Sequence, residues 1–184
     1  IGEGRTGWLQ PTVGGLTLES ALLPHWLGAA FIDVLSPAVD AAIAARLPFL
    51  VLLALTLVLV WYSSFHLART EAAQPLALAF GGEAHAVDYA RAVADGALLA
   101  LVASLGLLQL GHETTPELAQ LFAMALYLWS LSAAPFRQWQ ARAAALLSLP
   151  LLAASGAPAI ALAGGVVGSV LCLRSTYVWA RTLA

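Results

Sequence analysis

The chain has 184 residues, of which 61% are hydrophobic and only 10% are charged. Soluble domains carry about 25% charged residues, so this composition predicts an integral membrane protein. The formal net charge of −2 provides no basic surface and argues against nucleic acid as a partner. The single Cys172 excludes an internal disulfide and a CxxC metal or redox site.

The first 42 residues form a mixed segment rather than a membrane span. Closely spaced Gly and Pro residues predict a loop over residues 1–17. Over residues 19–35, apolar side chains recur at three- and four-residue spacing, which predicts an amphipathic helix lying at the membrane interface. Trp8 and Trp26 are the expected interface anchors, and Pro37 is expected to follow the end of this helix.

The stretch Leu47–Tyr62 contains no charged residue and predicts a membrane helix. Extended to Ile43–His66, it contains only Arg46 as a charge, near one end. At about 1.5 Å per residue, such a helix is long enough to cross a hydrocarbon core of about 30 Å. The alternative is a buried core helix of a soluble protein, which the further apolar runs along the chain disfavour. Five spans are predicted, at about residues 43–66, 93–110, 116–134, 143–155 and 159–173.

The predicted fold class is therefore all-α, a polytopic helical membrane protein. Residues 1–42 form an outer segment, and residues 43–184 form the transmembrane region. The chain begins with Ile1 rather than Met, so we expect an N-terminal part of a longer protein whose first membrane helix precedes it.

The distribution of arginine predicts the orientation. The chain has no Lys, and Arg residues are enriched on the cytoplasmic side of membrane proteins. Arg residues fall in alternate connections, whereas the links at 111–115 and 156–158 contain none. We expect residues 1–42 and the first of these links to face the periplasm or cell exterior, with the chain in a bacterial inner membrane. The residues that set this orientation are Arg69, Arg91, Arg137, Arg142, Arg174 and Arg181.

Short motifs follow one another in a fixed order along the outer segment. They are Gly2-Glu3-Gly4-Arg5, Gly7-Trp8-Leu9-Gln10-Pro11, the stretch from Leu18 to Leu27, and Ala45-Arg46-Leu47-Pro48. This series resembles the first outer loop and second membrane helix of GT-C glycosyltransferases. The nearest group is the protein-O-mannosyltransferase-like family 39, which includes the aminoarabinose transferases that modify lipid A.

Further along the chain, Thr115-Pro116-Glu117-Leu118 resembles the Thr-Pro-Asp segment that opens the family's fourth membrane helix. The hairpin over residues 142–173 is similar to the next helix pair. The likeness covers nearly the whole chain. It implies an N-terminal part of a longer enzyme, without the first helix and everything after about the sixth.

The resemblance implies transfer of a sugar from a polyprenyl-phosphate donor to a lipid, glycan or protein acceptor at the outer membrane surface. Glu3 would be the catalytic base for the acceptor hydroxyl, and Arg5 would bind phosphate through its bidentate guanidinium. A divalent metal held between such groups is a further expectation, and no other cofactor is implied. The remaining expected substrate-binding residues on the same side are Glu19, His25, His112 and Glu113.

The chain departs from the family pattern at diagnostic positions. The family's catalytic Asp aligns with Gly2, and the Lys and Pro of its Glu-Lys-Pro motif align with Ser20 and Ala21. Either Glu3 has taken over the role of the carboxylate, or this relative has drifted in mechanism or lost activity.

Each candidate residue also has a purely structural interpretation. Glu3 and Arg5 fit a solvated pair in a loop, and His25 fits an interfacial side chain. His112 and Glu113 fit a polar turn in which the carboxylate lies near a helix N-terminus, where the helix dipole favours it.

A transporter, or a small integral subunit of a larger complex, would also show five spans. A haem-binding subunit would need two His residues at similar depth, whereas His66 and His112 lie at opposite ends of their predicted helices. His85 falls in an inner loop. Transporters tend to carry charges within their spans, and here Asp95 is predicted near the end of one span. The outer segment therefore remains the functional candidate, which favours a glycosyltransferase.

Overall fold

The structure, a computed structural model, describes residues 12–13, 16–17, 21–35, 38–75, 84–104 and 115–174. Six α-helices account for most of these residues, which confirms the all-α prediction. They are α1 (Leu22–Leu35), α2 (Ala41–Ala68), α3 (Ala86–Ala103), α4 (Pro116–Ala133), α5 (Gln138–Ala154) and α6 (Pro158–Arg174).

Two short non-α elements accompany these helices. A 3₁₀ turn at Glu71–Ala73 follows α2. Near the N-terminus, β1 (Thr12–Val13) pairs antiparallel with β2 (Leu16–Thr17). This small hairpin lies within the segment that the sequence predicts as loop.

The long apolar run forms α2, the longest helix of the described chain. It has 28 residues, and the Asp40 side chain caps its start by accepting a hydrogen bond from the Ala42 backbone N–H at 2.9 Å. Among the described helices, α2 alone is long and apolar enough to cross a membrane, by length and composition. The other predicted spans form helices of 17 or 18 residues. At 1.5 Å per residue these reach about 26 Å, slightly less than a typical hydrocarbon core.

Two helices begin earlier than the apolar pattern indicates. α3 starts at Ala86 rather than near Val93, because its polar first turns are compatible with a helix. Arg91 lies 3.4 Å from the Asp88 carboxylate in an exposed i, i+3 pair, an arrangement that supports helix formation. α5 likewise starts at Gln138. α4 starts at Pro116, where the third span is predicted to begin, because the first helical position tolerates a residue without an N–H.

α1 ends at Leu35, as predicted, but it is less amphipathic than expected. Only His25 and Asp33 carry titratable side chains among its 14 residues, so its polar face is narrow. Pro24 and Ala29 are its buried residues. α1 packs mainly on α2 and touches α4 and α5.

The helices pack as a bundle in which most helices contact the next one along the chain, whereas α3 packs mainly on α2. α2 contacts α1, α3 and α4, while α4 contacts α5, and α5 contacts α6. The contacts are made mostly by Ala, and the large apolar side chains that are fully buried in the described chain are Phe49, Leu118 and Leu152. Other large side chains point outward instead. Leu99 is 69% exposed, and Leu146 is 75% exposed.

Six buried Ser and Thr residues of the described chain carry hydroxyl groups between the helices, and each hydroxyl is satisfied within its own helix or helix cap. Every one donates to a backbone carbonyl three or four residues earlier, at oxygen–oxygen distances of 2.6–3.1 Å. Such bonds allow a polar side chain to be buried without a partner from another helix. The residues are Thr56, Ser63, Ser130, Ser132, Ser148 and Ser155.

Candidate functional site

The start of α1 lies against the turn between α5 and α6. Gly156 in this turn has a φ of +93°, and a Cβ at this position would lie 3.1 Å from the Cβ of Ala21. Near the start of α4, the Gln120 side-chain amide donates to the Ser155 carbonyl at 2.8 Å. These contacts define the Gly156 end of the bundle, which consists of Ala21, Thr115 and Gly156 with their neighbours.

The predicted site residues lie mostly outside the described chain. His25 is the exception, and it is a half-buried residue in the first turn of α1. The other five candidates lie outside the described residues, and they are Glu3, Arg5, Glu19, His112 and Glu113.

The sequence neighbours of two of these five candidates do lie at one end of the bundle. Ala21 is two positions after Glu19, and Thr115 is two positions after Glu113. Both belong to the Gly156 end. The Thr115 hydroxyl is buried there and has no hydrogen-bond partner among the described residues.

Aromatic rings and arginines pack at the opposite end. The Arg69 guanidinium lies 4.9 Å from the centroid of the Phe136 ring and 5.3 Å from that of Phe65. His66 stacks on Phe136 with 5.1 Å between ring centroids and 23° between ring planes. We call this the Arg137 end, after the residue that follows Phe136. Because His66 lies there, it is far along α2 from the Gly156 end.

His66 is only 6% exposed, and its Nδ1 has no hydrogen-bond partner within the described chain. It borders a cavity of about 300 Å³ together with Tyr62, Trp129 and Arg137. These four residues offer hydrogen-bond donors and aromatic faces, which suit a small polar or anionic group, and Val58 and Leu59 complete the wall. No pattern in the sequence indicates this cavity, because its walls come from α2, α4 and the chain just after α4.

A second contact that the sequence analysis missed joins α2 to α3. The Trp61 indole N–H donates to a carboxylate oxygen of Asp95 at 2.7 Å. The prediction that Asp95 lies near the end of a span is wrong, because α3 begins at Ala86 and places this residue near its middle. The sequence analysis placed the start of α3 too late, because it interpreted the polar turns around Asp88 and Arg91 as a link between helices.

On the side of α4 that faces away from α2, Tyr127 binds α6 through a hydrogen bond. Its hydroxyl donates to the Gly164 carbonyl at 2.8 Å. A Cβ at Gly168 would overlap this hydroxyl and lie 3.0 Å from Cζ of the same ring. Glycine at this position therefore leaves room for the Tyr127 side chain of α4 against the backbone of α6.

Within the described ranges, no three His, Cys, Asp or Glu side chains form a group that would hold a metal ion. Five of the predicted site residues lie outside those ranges, so the expectation of a divalent metal remains a prediction. Cys172 is buried on α6 and belongs to no such group in this part of the chain.

Comparison with known proteins adds no relative from which a role can be transferred. No family model, curated protein sequence or solved structure matches this chain.

Proposed function

We propose that the protein is a polytopic membrane protein in which α2 to α6 cross the bilayer. This proposal is supported by the positions of small and large residues in the bundle. Alanine and self-bonded hydroxyls occupy the helix contacts, and large apolar side chains such as Leu146 and Leu162 face outward. Small residues at helix contacts are typical of membrane bundles, because lipid gives no advantage to burying large apolar groups.

Arginine positions support an orientation with the Arg137 end in the cytoplasm. Arg69, Arg137 and Arg142 lie at or close to that end, and α6 ends there with Arg174. At the other end of α2, Arg46 is exposed in the second turn. The excess of arginine agrees with the positive-inside rule. The Gly156 end would then face the periplasm or cell exterior.

At that outer end, we infer transfer of a sugar from a polyprenyl-phosphate donor. The observation that carries this proposal is the ordered series of GT-C-like motifs, together with the common location of Ala21 and Thr115. Both residues lie within motif segments. Glu3 would accept the proton of the acceptor hydroxyl as the oxygen attacks the anomeric carbon. The polyprenyl phosphate would leave with the electron pair of the broken C–O bond, and Arg5 would bind its negative charge.

The remaining candidates would bind substrate at the same end. These are Glu19, His25, His112 and Glu113, and together they offer carboxylate oxygens and imidazole nitrogens. Such donors suit a divalent cation that would neutralise the phosphate. The acceptor would be a lipid, a glycan or a protein.

The test is a transfer assay with the purified full-length protein, labelled polyprenyl-phosphate sugars and candidate acceptors. Glu3→Gln should reduce the rate by at least about a hundredfold, because a positioned general base contributes about 10²–10⁴-fold. Asp33→Asn, which removes an exposed carboxylate from α1, is the matched control and should leave the rate unchanged. Equal rates for the parent and Glu3→Gln would refute the role of Glu3.

The second candidate is a non-catalytic relative, or a small integral subunit of a transporter or other membrane complex. Asp95 favours it, because an exposed carboxylate near the middle of a membrane helix is costly in lipid unless a partner covers it. A folded parent protein that transfers no sugar from any donor, and that co-purifies with another membrane protein, would support this function instead.

A further inference from the structure

A slot of about 550 Å³ lies between α4, α5 and α6, towards the Arg137 end. Arg142 and Leu149 line it from α5, Gly165 and Cys172 line it from α6, and Tyr127 lines it from α4. Most of the wall is apolar. The slot is separate from the cavity beside His66, which lies on the α2 side of α4.

The slot is elongated along the helices. Arg142 and Leu149 are seven residues apart on α5, which corresponds to about 10 Å along the helix axis. Gly165 and Cys172 have the same separation on α6. Because α6 runs back from the Gly156 end, Cys172 lies at the same end of the slot as Arg142. An extended hydrocarbon chain fits this shape.

Small residues create the slot and fix its walls. A Cβ at Gly165 would lie 3.3 Å from Cδ1 of Leu149 and would narrow the slot between α5 and α6. Gly168 leaves room for the Tyr127 hydroxyl, whose hydrogen bond to the Gly164 carbonyl holds the ring in place. The slot is therefore a defined feature of the packing.

A positive charge lies at one end of the slot. The Arg142 guanidinium is 5.0 Å from the centroid of the Trp139 ring. Its Nε is buried and has no hydrogen-bond partner among the described residues. Arg174 follows Cys172 by two positions and adds a second positive charge nearby. The rim residue Leu146 is 75% exposed, so the slot opens towards the outside of the bundle.

We propose that this slot binds one acyl chain of an anionic phospholipid, with the phosphate accepting hydrogen bonds from Arg142. The apolar wall contacts the chain, and the guanidinium recognises the headgroup. The phosphate lies at the Arg137 end, opposite the proposed sugar-transfer site. The inference therefore goes beyond the proposed function, and it holds or fails independently of it.

Native mass spectrometry of the full-length protein in detergent tests this proposal. Phosphatidylglycerol is added as the anionic phospholipid, and diacylglycerol with the same acyl chains is added as the lipid without a phosphate. Phosphatidylglycerol should bind about tenfold more tightly, the size expected for a hydrogen-bonded charge pair. Arg142→Gln should abolish this preference, and Arg142→Lys should retain part of it. Arg91→Gln is the matched control, because it removes an exposed arginine of α3 and should have no effect.

The acyl-chain part of the proposal is tested by filling the slot. Ala145→Phe places a ring in the slot and should reduce the binding of both lipids, whereas Ala143→Phe, at an exposed position of the same helix, should not. If Ala145→Phe loses its thermal unfolding transition, Ser169→Leu replaces it.

Four outcomes would overturn the inference. The first is equal affinity for both lipids, and the second is unchanged binding in a folded slot-filling variant. The third is an equal loss in Arg91→Gln and Arg142→Gln, which would indicate general surface attraction. The fourth is full competition by glycerol 3-phosphate, which would indicate a site for free phosphate esters.

Discussion

At the Arg137 end, aromatic rings, guanidinium groups and the imidazole of His66 pack on one another, and two cavities lie close by. At the Gly156 end, the described contacts are instead made by a tight turn, a side-chain amide and the small Ala21. The sequence motifs point to the Gly156 end, whereas the geometry is richest at the other. The proposed sugar transfer and the proposed lipid binding thus lie at opposite ends of one bundle.

The largest effect expected from this comparison is a difference in chemical labelling between the two ends of the bundle. Asp33 on α1 and Glu71 after α2 are both exposed acidic residues, and they lie towards opposite ends of the bundle. In a Cys172→Ser background, a membrane-impermeant maleimide should label Asp33→Cys in intact cells almost completely. Glu71→Cys should be labelled only after the membrane is permeabilised.

The reverse pattern would invert the proposed orientation. Equal labelling of the two positions in intact cells would contradict a membrane between the two ends. Cys172→Ser without a new cysteine is the background control.

A smaller effect, on the free energy of unfolding, is expected from a substitution at the contact between α4 and α6. Gly168→Ala should lower the free energy of unfolding by about 1–3 kcal/mol, because the new methyl group displaces the Tyr127 hydroxyl from Gly164. Thermal unfolding in detergent measures this loss. Adding Tyr127→Phe to Gly168→Ala should cost less than the sum of the single changes, because it removes the overlapping oxygen. Strict additivity would show that Gly168 does not serve to make room for the Tyr127 hydroxyl.

The smallest effect is expected for two glycine-to-alanine substitutions, Gly156→Ala and Gly96→Ala, which should change the free energy of unfolding in opposite directions. Gly156→Ala should destabilise by about 1–2 kcal/mol, because alanine is strained at positive φ and its Cβ would press on Ala21. Gly96 lies within α3, and a Cβ added there would meet no described atom within 4 Å, so Gly96→Ala should stabilise by about 1 kcal/mol. Melting temperatures of both variants in the same detergent provide the measurement, and a shift of equal sign in both would contradict this account.

Local chemistry predicted the parts of the fold that depend on backbone geometry. Pro116 lies at a helix start, where a missing N–H is tolerated, and Gly156 occupies the turn between two apolar runs. Pro158 was predicted in that turn and is instead the first residue of α6. The start of α3 was missed, because a helix can begin with polar turns when Asp88 and Arg91 pair along its surface.

The sequence pattern did not predict which residues contact each other between helices. Tyr127 meets Gly164 and Gly168 through the relative rotation of α4 and α6, which no local spacing encodes. Asp95 meets Trp61 for the same kind of reason. The residues of the candidate site come from the sequence alone, and the structure adds the location of their neighbours Ala21 and Thr115.

The self-bonded hydroxyls have a consequence for the assembly of the protein. The hydroxyls of Ser63, Ser130 and Ser148 donate to carbonyls of their own helices, so their hydrogen bonds do not require a neighbouring helix. In the proposed polytopic arrangement, each of these helices would enter lipid during synthesis without exposing unpaired hydroxyls, and the helices would pack against one another afterwards. We expect biogenesis to proceed helix by helix, with packing as a separate and later step.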